Sequence, residues 1–120
     1  MDSILQTIKQ LIGGDVESGA FDVDLITTIN SALYRLYTLG ICNAMTVSDE
    51  TQLWSDLWPN DEDREKYLAS VRTYVYLKVK LVFDISSMTS YVIQSLERQV
   101  SELEWTLNVM AENQNGDKYE

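Results

Sequence analysis

The sequence predicts an all-α fold, a small bundle of four to five helices in which the last helix is the longest. Residues 87–113 contain no Gly or Pro, and apolar residues recur there at steps of four, four, three, four and three. The residues of this stripe are Val92, Leu96, Val100, Leu103, Leu107 and Met110. With 3.6 residues per turn, the spacing forms one apolar stripe along a helix of about seven turns. Three shorter segments with helical periodicity precede it.

The long stripe must pack against something, because an isolated helix gains little stability from propensity alone. Its partner is either the rest of the chain or another subunit. Trp105 lies off the stripe, with Val109 four residues further along. This second apolar edge predicts contacts on more than one side of the helix.

The first helix is predicted by an amphipathic pattern that begins at Ile4. Asp2 or Ser3 is expected as its N-cap, and Gly13-Gly14 as its stop.

A second helix is expected after a polar loop at residues 15–20, with Asp22 as its cap and Phe21 placed to touch Ile26 as a hydrophobic staple. Gly40 is expected to end it. Its predicted buried residues are Leu25, Ile26, Ile29, Leu33 and Leu36.

The helical period is lost between residues 41 and 60. Residues 46–48 are predicted to be a short extended piece, and residues 51–57 one or two helical turns closed by Trp58-Pro59.

The next helix is expected to open at Asn60 or Asp61, with acidic residues in its first turn. Residues 74–83 are ambiguous, because their apolar residues alternate as in a strand and also continue a helical stripe. That stripe consists of Leu68, Val71, Val75, Val79 and Val82. A lone strand would have no partner for its backbone hydrogen bonds, so a helix is favoured.

Residues 84–87 are expected to form the last turn, with Ser86 or Ser87 as the cap of the final helix. Residues 1–113 are thus expected to form a single helical domain, and residues 114–120 a mobile polar tail.

The composition is that of a globular protein, with 45% hydrophobic and 23% charged residues in a chain of 120. No apolar run approaches the length of a membrane span, and the N-terminus does not resemble a signal peptide. The cytosol, or a particle assembled there, is the expected compartment. Cys42 is the single cysteine and there is no His, so an inert, buried thiol is expected.

The residues offer no catalytic or metal site, and no cofactor is expected. Carboxylates alone remain as metal ligands, and they do not have the spacing of a calcium loop. Glu97, Glu102 and Glu104 are separated by steps of five and two, which turn them to different faces of a helix. They are predicted to form a solvated surface.

The charge balance, 9 basic against 19 acidic residues, argues against sequence-independent binding of nucleic acid, which depends on Lys and Arg. The densest acidic patch lies between residues 49 and 66. It either forms a solvated loop and helix N-terminus or keeps a channel wall from adhering to DNA. The candidate channel-facing residues are Asp49, Glu50, Asp61, Glu62 and Asp63.

Aromatic residues supply the candidate contacts with a second subunit or a larger partner. Trp54 and Trp58 lie one helical turn apart and are interpreted as core caps or as interface anchors. Trp105, which departs from the main stripe, is open to the same two interpretations. With Met110, these three tryptophans form the candidate interface set.

Five segments follow one another in order along the chain: FDVDLI at 21–26, INSAL at 29–33, WSD at 54–56, YVYLKVKLVFD at 74–84 and LEW at 103–105. Taken together, they resemble the small head-tail connector (adaptor) proteins of tailed bacteriophages that infect Gram-positive hosts. The resemblance covers nearly the whole chain, from residue 1 to about residue 108. In this family the turn after the Phe-Asp pair that ends the fourth segment often contains prolines, whereas this chain has Ile85-Ser86-Ser87.

The resemblance implies a helical bundle that docks as a ring, usually of twelve copies, beneath the portal protein at the capsid vertex. Such a homo-oligomer extends the channel through which the genome DNA passes without specific binding, and it offers a platform for the next neck or tail-completion protein. It implies that the protein is located in the virion after assembly in the bacterial cytoplasm. It also implies that the protein does not bind a membrane and has no catalytic residues.

Two other functions stay open at this point. One is a small acidic regulatory protein that binds a basic partner. The other is an enzyme subunit that borrows catalytic residues from a partner chain.

Overall fold

Four α-helices make up the fold seen in the computed structural model, which describes residues 3–13 and 19–118, with side chains through Glu112. The helices are α1 (Ile4–Ile12), α2 (Asp22–Thr38), α3 (Asp61–Phe83) and α4 (Ser90–Lys118), with short 3₁₀ turns at Trp54–Leu57 and Ile85–Ser87. Among the described residues, β-structure is limited to an isolated antiparallel bridge between Ser3 and Leu53. The predicted all-α bundle with a long last helix is confirmed.

Helix α3 is the centre of the bundle, and it packs against α1, α2 and α4. Because its neighbours lie on several sides, its buried residues spread around most of its circumference. They are Tyr67, Val71, Tyr74, Val75, Leu77 and Val79. This distribution explains the ambiguity of residues 74–83, since a helix buried on several sides loses the single stripe that identifies it. Helix is confirmed there, although Val82, predicted to be in the stripe, is 57% exposed.

Helix α1 is held at both ends by local hydrogen bonds. The Ser3 hydroxyl accepts a hydrogen bond from the backbone N–H of Gln6, so Ser3 is the N-cap. Gly13 ends the helix with φ +72°, a left-handed conformation that favours glycine. Asp2 and Gly14, the other residues considered for these ends, lie outside the described residues.

Helix α2 begins at Asp22 with Phe21 in the N-cap position, so Asp22 is not the cap that the sequence predicted. Instead, the Asp22 carboxylate pairs with Lys9 Nζ at 3.1 Å and joins α2 to α1. The Phe21 ring meets Phe83 edge to face, with centroids 6.4 Å apart. The start of α2 therefore lies beside the end of α3.

The end of α2 is a Schellman motif. The Ile41 N–H donates to the Leu36 carbonyl and the Gly40 N–H to the Tyr37 carbonyl, at 3.1 and 3.0 Å. Gly40 has φ +80°, which a residue with a Cβ adopts only with strain. The predicted stop at Gly40 is confirmed.

The connection between α2 and α3 is irregular but well bonded. Asn30 Oδ1 accepts from the Val47 N–H at 2.7 Å, and Asn30 Nδ2 donates to the Val47 carbonyl at 2.9 Å. The Asn30 side-chain amide thus forms with Val47 the two hydrogen bonds that a neighbouring strand would form, although residues 46–48 are not in a strand. Further along, the Trp58 indole N–H donates to the Ile41 carbonyl at 2.9 Å.

Helix α4 begins later than the sequence predicted. Its first turn is capped by Thr89, whose hydroxyl accepts from the Val92 N–H at 3.2 Å, and not by Ser86 or Ser87. Those two serines lie in the preceding 3₁₀ turn, where the Ser87 hydroxyl donates to the Asp84 carbonyl.

At its C-terminal end α4 runs on to Lys118 and so includes residues 114–118 of the expected polar tail. That segment has no Pro, and a single Gly at position 116 costs only about 1 kcal/mol in a helix, which does not by itself end one.

The core covers only part of the α4 stripe. Val100, Leu107 and Ala111 are buried, whereas Val92 is 40% exposed. Leu96, Leu103 and Met110 are partly buried against the core. The stripe is therefore best covered at Val100 and Leu107, and the first turns of α4 extend beyond the best-packed part of the bundle.

Candidate assembly surfaces

The two tryptophans near residue 55 belong to the core of the subunit. Trp54 is 0% exposed, its indole N–H donates to the Thr7 hydroxyl at 3.2 Å, and the Arg72 guanidinium lies 5.7 Å from its ring. Trp58 is 4% exposed and stacks on Tyr67 with ring centroids 6.3 Å apart. Since the bundle covers both rings, a neighbouring chain reaches neither in this conformation. Of their two interpretations, the structure agrees with core capping.

Trp105 has the opposite environment, with 70% of its surface exposed. It lies seven residues after Arg98, which itself lies seven residues after Tyr91, and the three side chains are exposed. Seven residues are close to two helical turns, so the three project from the same side of α4. We call them the α4 outer face. Met110, the other candidate on this helix, is partly buried against the core.

Arg98 differs from the other cations of the chain. Across the side chains described, each other Lys or Arg is either in an ion pair or over an aromatic ring, whereas Arg98 has neither contact and no hydrogen bond. The ion-paired cations are Lys9, Arg35, Arg64 and Lys80, and the ring-stacked ones are Lys66, Arg72 and Lys78. The exposed charge of Arg98 is thus available to an external partner.

Two of the candidate acidic residues lie in the loop next to α1. Asp49 accepts hydrogen bonds from the backbone and hydroxyl of Thr51, which lower the pKa of its carboxyl group. The Glu50 carboxylate accepts a hydrogen bond from Gln6 Nε2 at 2.9 Å. Both side chains are exposed.

The other three acidic candidates form the first turn of α3, where carboxylates interact favourably with the helix dipole. Asp61 pairs with Arg64 at 2.8 Å, and Asp63 is half-buried and bonded to Asn60. Glu62 is exposed, and no described group pairs with it. The five candidates are therefore divided between a loop and a helix start.

The structure also exposes apolar side chains where α2, α3 and the turn before α4 meet, which the sequence did not single out. Val82 and Ile85 are 57% and 46% exposed, and Phe21 beside them is 41% exposed. In a helical pattern, Val82 has the spacing of a core residue. Its exposure follows from the position of the neighbouring helices, and periodicity carries no signal for that.

Cys42 is half-buried, and its burial raises the pKa of the thiol to about 11. The thiol is therefore protonated near neutral pH, whereas nucleophilic attack and metal binding need the thiolate. In residues 3–13 and 19–118 no three His, Cys, Asp or Glu side chains form a cluster that could hold a metal ion. Over the same residues, the helices are too short or too polar to cross a bilayer.

A comparison with protein families finds a match that spans these helices. The model of a family described as phage connector protein matches residues 4–114, which include α1, α2, α3 and most of α4. No curated protein and no solved structure matches the chain.

Proposed function

This chain belongs to the phage connector protein family, and on that premise we propose that it forms a ring beneath the portal and joins the capsid to the next neck or tail protein. The observation that carries the proposal is the family match over residues 4–114, which spans the bundle. A structural protein of the virion acts by binding neighbouring proteins. Its functional residues are therefore expected on the surface.

The surface has features that suit such a role. The α4 outer face exposes two large aromatic side chains and an arginine that no described residue pairs with, and Trp, Tyr and Arg are the residue types most enriched in the energetically important parts of interfaces. A closed ring needs two different contact surfaces on each subunit, because each copy binds one neighbour with each side. We propose twelve copies, the number that the family resemblance implies.

The charge of the chain suits a passage for DNA. The formal net charge is −10, and carboxylates that face a channel repel the phosphates of a moving genome. The genome would pass through without specific contacts. Asp49, Glu50, Asp61, Glu62 and Asp63 are our candidates for that surface.

The proposal is tested on purified virions and on complexes with the portal protein of the same phage. Quantitative mass spectrometry should find about twelve copies of the chain per portal ring, and imaging of the neck should place them beneath the portal. One or two copies per portal, or no copies in the virion, would contradict the proposal.

A further inference from the structure

We propose that the α4 outer face binds the first half of α3 in the next copy of this chain, and that this contact is the repeated interface of the ring. The inference rests on the proposed function and specifies the two surfaces that it requires. The partner of the α4 outer face is a second copy of the chain, which the charges and sizes of the exposed side chains favour.

The first surface supplies the cation and the large side chains. Tyr91 and Trp105 are 79% and 70% exposed, and Arg98 lies between them without a partner among the described residues. A guanidinium between two exposed rings favours an acidic partner, and the rings favour one with room for them.

The second surface is on α3, and we call it the α3 acidic face. Glu62, Glu65, Ala69 and Thr73 follow one another at steps of three and four residues, so they lie on one side of the helix. All four are exposed. Neither glutamate has an ion pair or hydrogen bond within the described part of the chain, and Ala69 and Thr73 are small.

The two surfaces match in charge and in spacing. Glu62 and Ala69 are seven residues apart, as are Tyr91 and Arg98, and seven residues span about 10 Å of helix. Helices α3 and α4 run antiparallel within one subunit, because a short turn joins them and they pack together, and the small rotation between neighbours in a twelve-membered ring preserves that relation. In this antiparallel contact Arg98 meets Glu62 and Glu65 while Tyr91 covers Ala69. Although the subunit has a net charge of −10, opposite charges meet at this contact, so charge repulsion does not oppose it there.

The two surfaces are also different from each other, and they lie on different helices of one subunit. A contact between them is therefore head-to-tail, and it leaves one free copy of each surface to bind a further subunit. A contact of the α4 outer face with itself would bring two Arg98 side chains together and would stop at a dimer.

Cross-linking tests the assignment directly. In a Cys42→Ser background, Tyr91→Cys and Ala69→Cys are introduced singly and together, and each protein is treated with a short bismaleimide, with the portal protein of the same phage present as template. The double variant should give a ladder of dimers, trimers and higher species. The single variants, and the pair Tyr91→Cys with Tyr34→Cys as a matched control at an exposed position of α2, should give several-fold less product.

A charge exchange provides the second test. Arg98→Glu alone, and Glu62→Arg with Glu65→Arg alone, should each reduce ring assembly at least ten-fold. Mixing the two variant proteins should restore rings, because each altered surface then meets its complement. Circular dichroism of each variant checks that it has folded, and this control is straightforward because all three residues are exposed.

The outcomes separate this inference from the proposed function. Many copies per portal without cross-links in the double variant would overturn the interface and leave the connector function intact. Cross-linking of Tyr91→Cys to the portal would also overturn it. One or two copies per portal in the unmodified complex would overturn both.

Discussion

Arg35 Nε lies 2.7 Å from Glu104 Oε1, and this ion pair joins α2 to α4 across 69 residues of sequence. Beneath it Tyr74 is fully buried on α3, and its hydroxyl makes no well-aligned hydrogen bond to a described residue, although the Glu104 carboxylate lies close to it. Burial, and then the negative charge of Glu104, raise the pKa of Tyr74. One carboxylate thus pairs with a cation at the surface and disfavours an anion in the core.

This arrangement predicts a loss of stability at alkaline pH. Because the pKa of Tyr74 is higher in the folded protein than its value of about 10 in the unfolded chain, the unfolded chain releases the proton first as the pH rises. The contribution of the protonated Tyr74 hydroxyl to the free energy of unfolding is therefore complete below about pH 10 and decreases above it. Between pH 7 and a pH above 10, the urea midpoint should fall less for Tyr74→Phe than for the unmodified protein.

The matched control is Tyr34→Phe, since Tyr34 is 66% exposed. The urea midpoint of this variant should fall at alkaline pH by as much as that of the unmodified protein. At pH 7, Tyr74→Phe should be at least as stable as the unmodified protein, because an unsatisfied buried polar group costs about 1–3 kcal/mol. Equal alkaline decreases for the two variants would contradict the assignment.

The burial of α4 predicts where its stripe contributes to the stability of one subunit. Leu107 is 0% exposed, so Leu107→Ala should lower the free energy of unfolding by about 2–5 kcal/mol by leaving a cavity. Val92→Ala, at a position 40% exposed in the same stripe, should cost much less. Chemical denaturation of the isolated protein measures both. Similar losses at the two positions would show that the start of α4 is packed as tightly as its second half.

The Asn30 side chain should stabilise the connection between α2 and α3. Asn30→Ala removes both hydrogen bonds to buried Val47 and should cost about 1–3 kcal/mol. Asn30→Asp keeps the acceptor for the Val47 N–H but cannot donate to its carbonyl, so its loss should also be measurable. Denaturation midpoints give the losses, and Ser31→Ala on the exposed side of the same helix is the control. Unchanged stability in Asn30→Ala would show that the connection does not depend on these bonds.

The acidic surface predicts how the protein behaves toward DNA. The unmodified protein should have no measurable affinity for duplex DNA near physiological salt. Reversing all five candidate carboxylates to Lys brings the formal net charge from −10 to zero and should create binding that weakens steeply with salt. Fluorescence anisotropy at several salt concentrations measures this. Tight, salt-resistant binding by the unmodified protein would instead favour a regulator that acts on nucleic acid.

Local signals in the sequence predicted both ends of α1 and the C-terminal end of α2. Ser3 caps a helix through its own hydroxyl, and Gly13 and Gly40 end helices because each adopts a positive φ. These interactions involve neighbours within a few residues, so they are readable without the fold. The start of α4 was less determined, since Ser86, Ser87 and Thr89 are all able to cap, and the 3₁₀ turn decides among them.

The candidate surfaces were harder to predict, because exposure depends on what packs against each helix. Trp54 and Trp105 are the same residue type, and both lie near polar and acidic residues in the sequence, yet one is 0% exposed and the other 70%. The free charge of Arg98 was also hidden. It becomes visible only when the partners of the other cations, several of them distant in sequence, are known.

Nearly every described Lys and Arg side chain is paired or stacked within its own subunit, and this affects the rate of assembly. With those charges paired or stacked within the subunit, the field around it at distances beyond the Debye length, about 10 Å at 0.1 M salt, is dominated by the negative net charge. Two free subunits therefore repel one another until they are nearly in contact. Added salt should accelerate their encounter, and a template that holds several copies side by side removes the same barrier without salt.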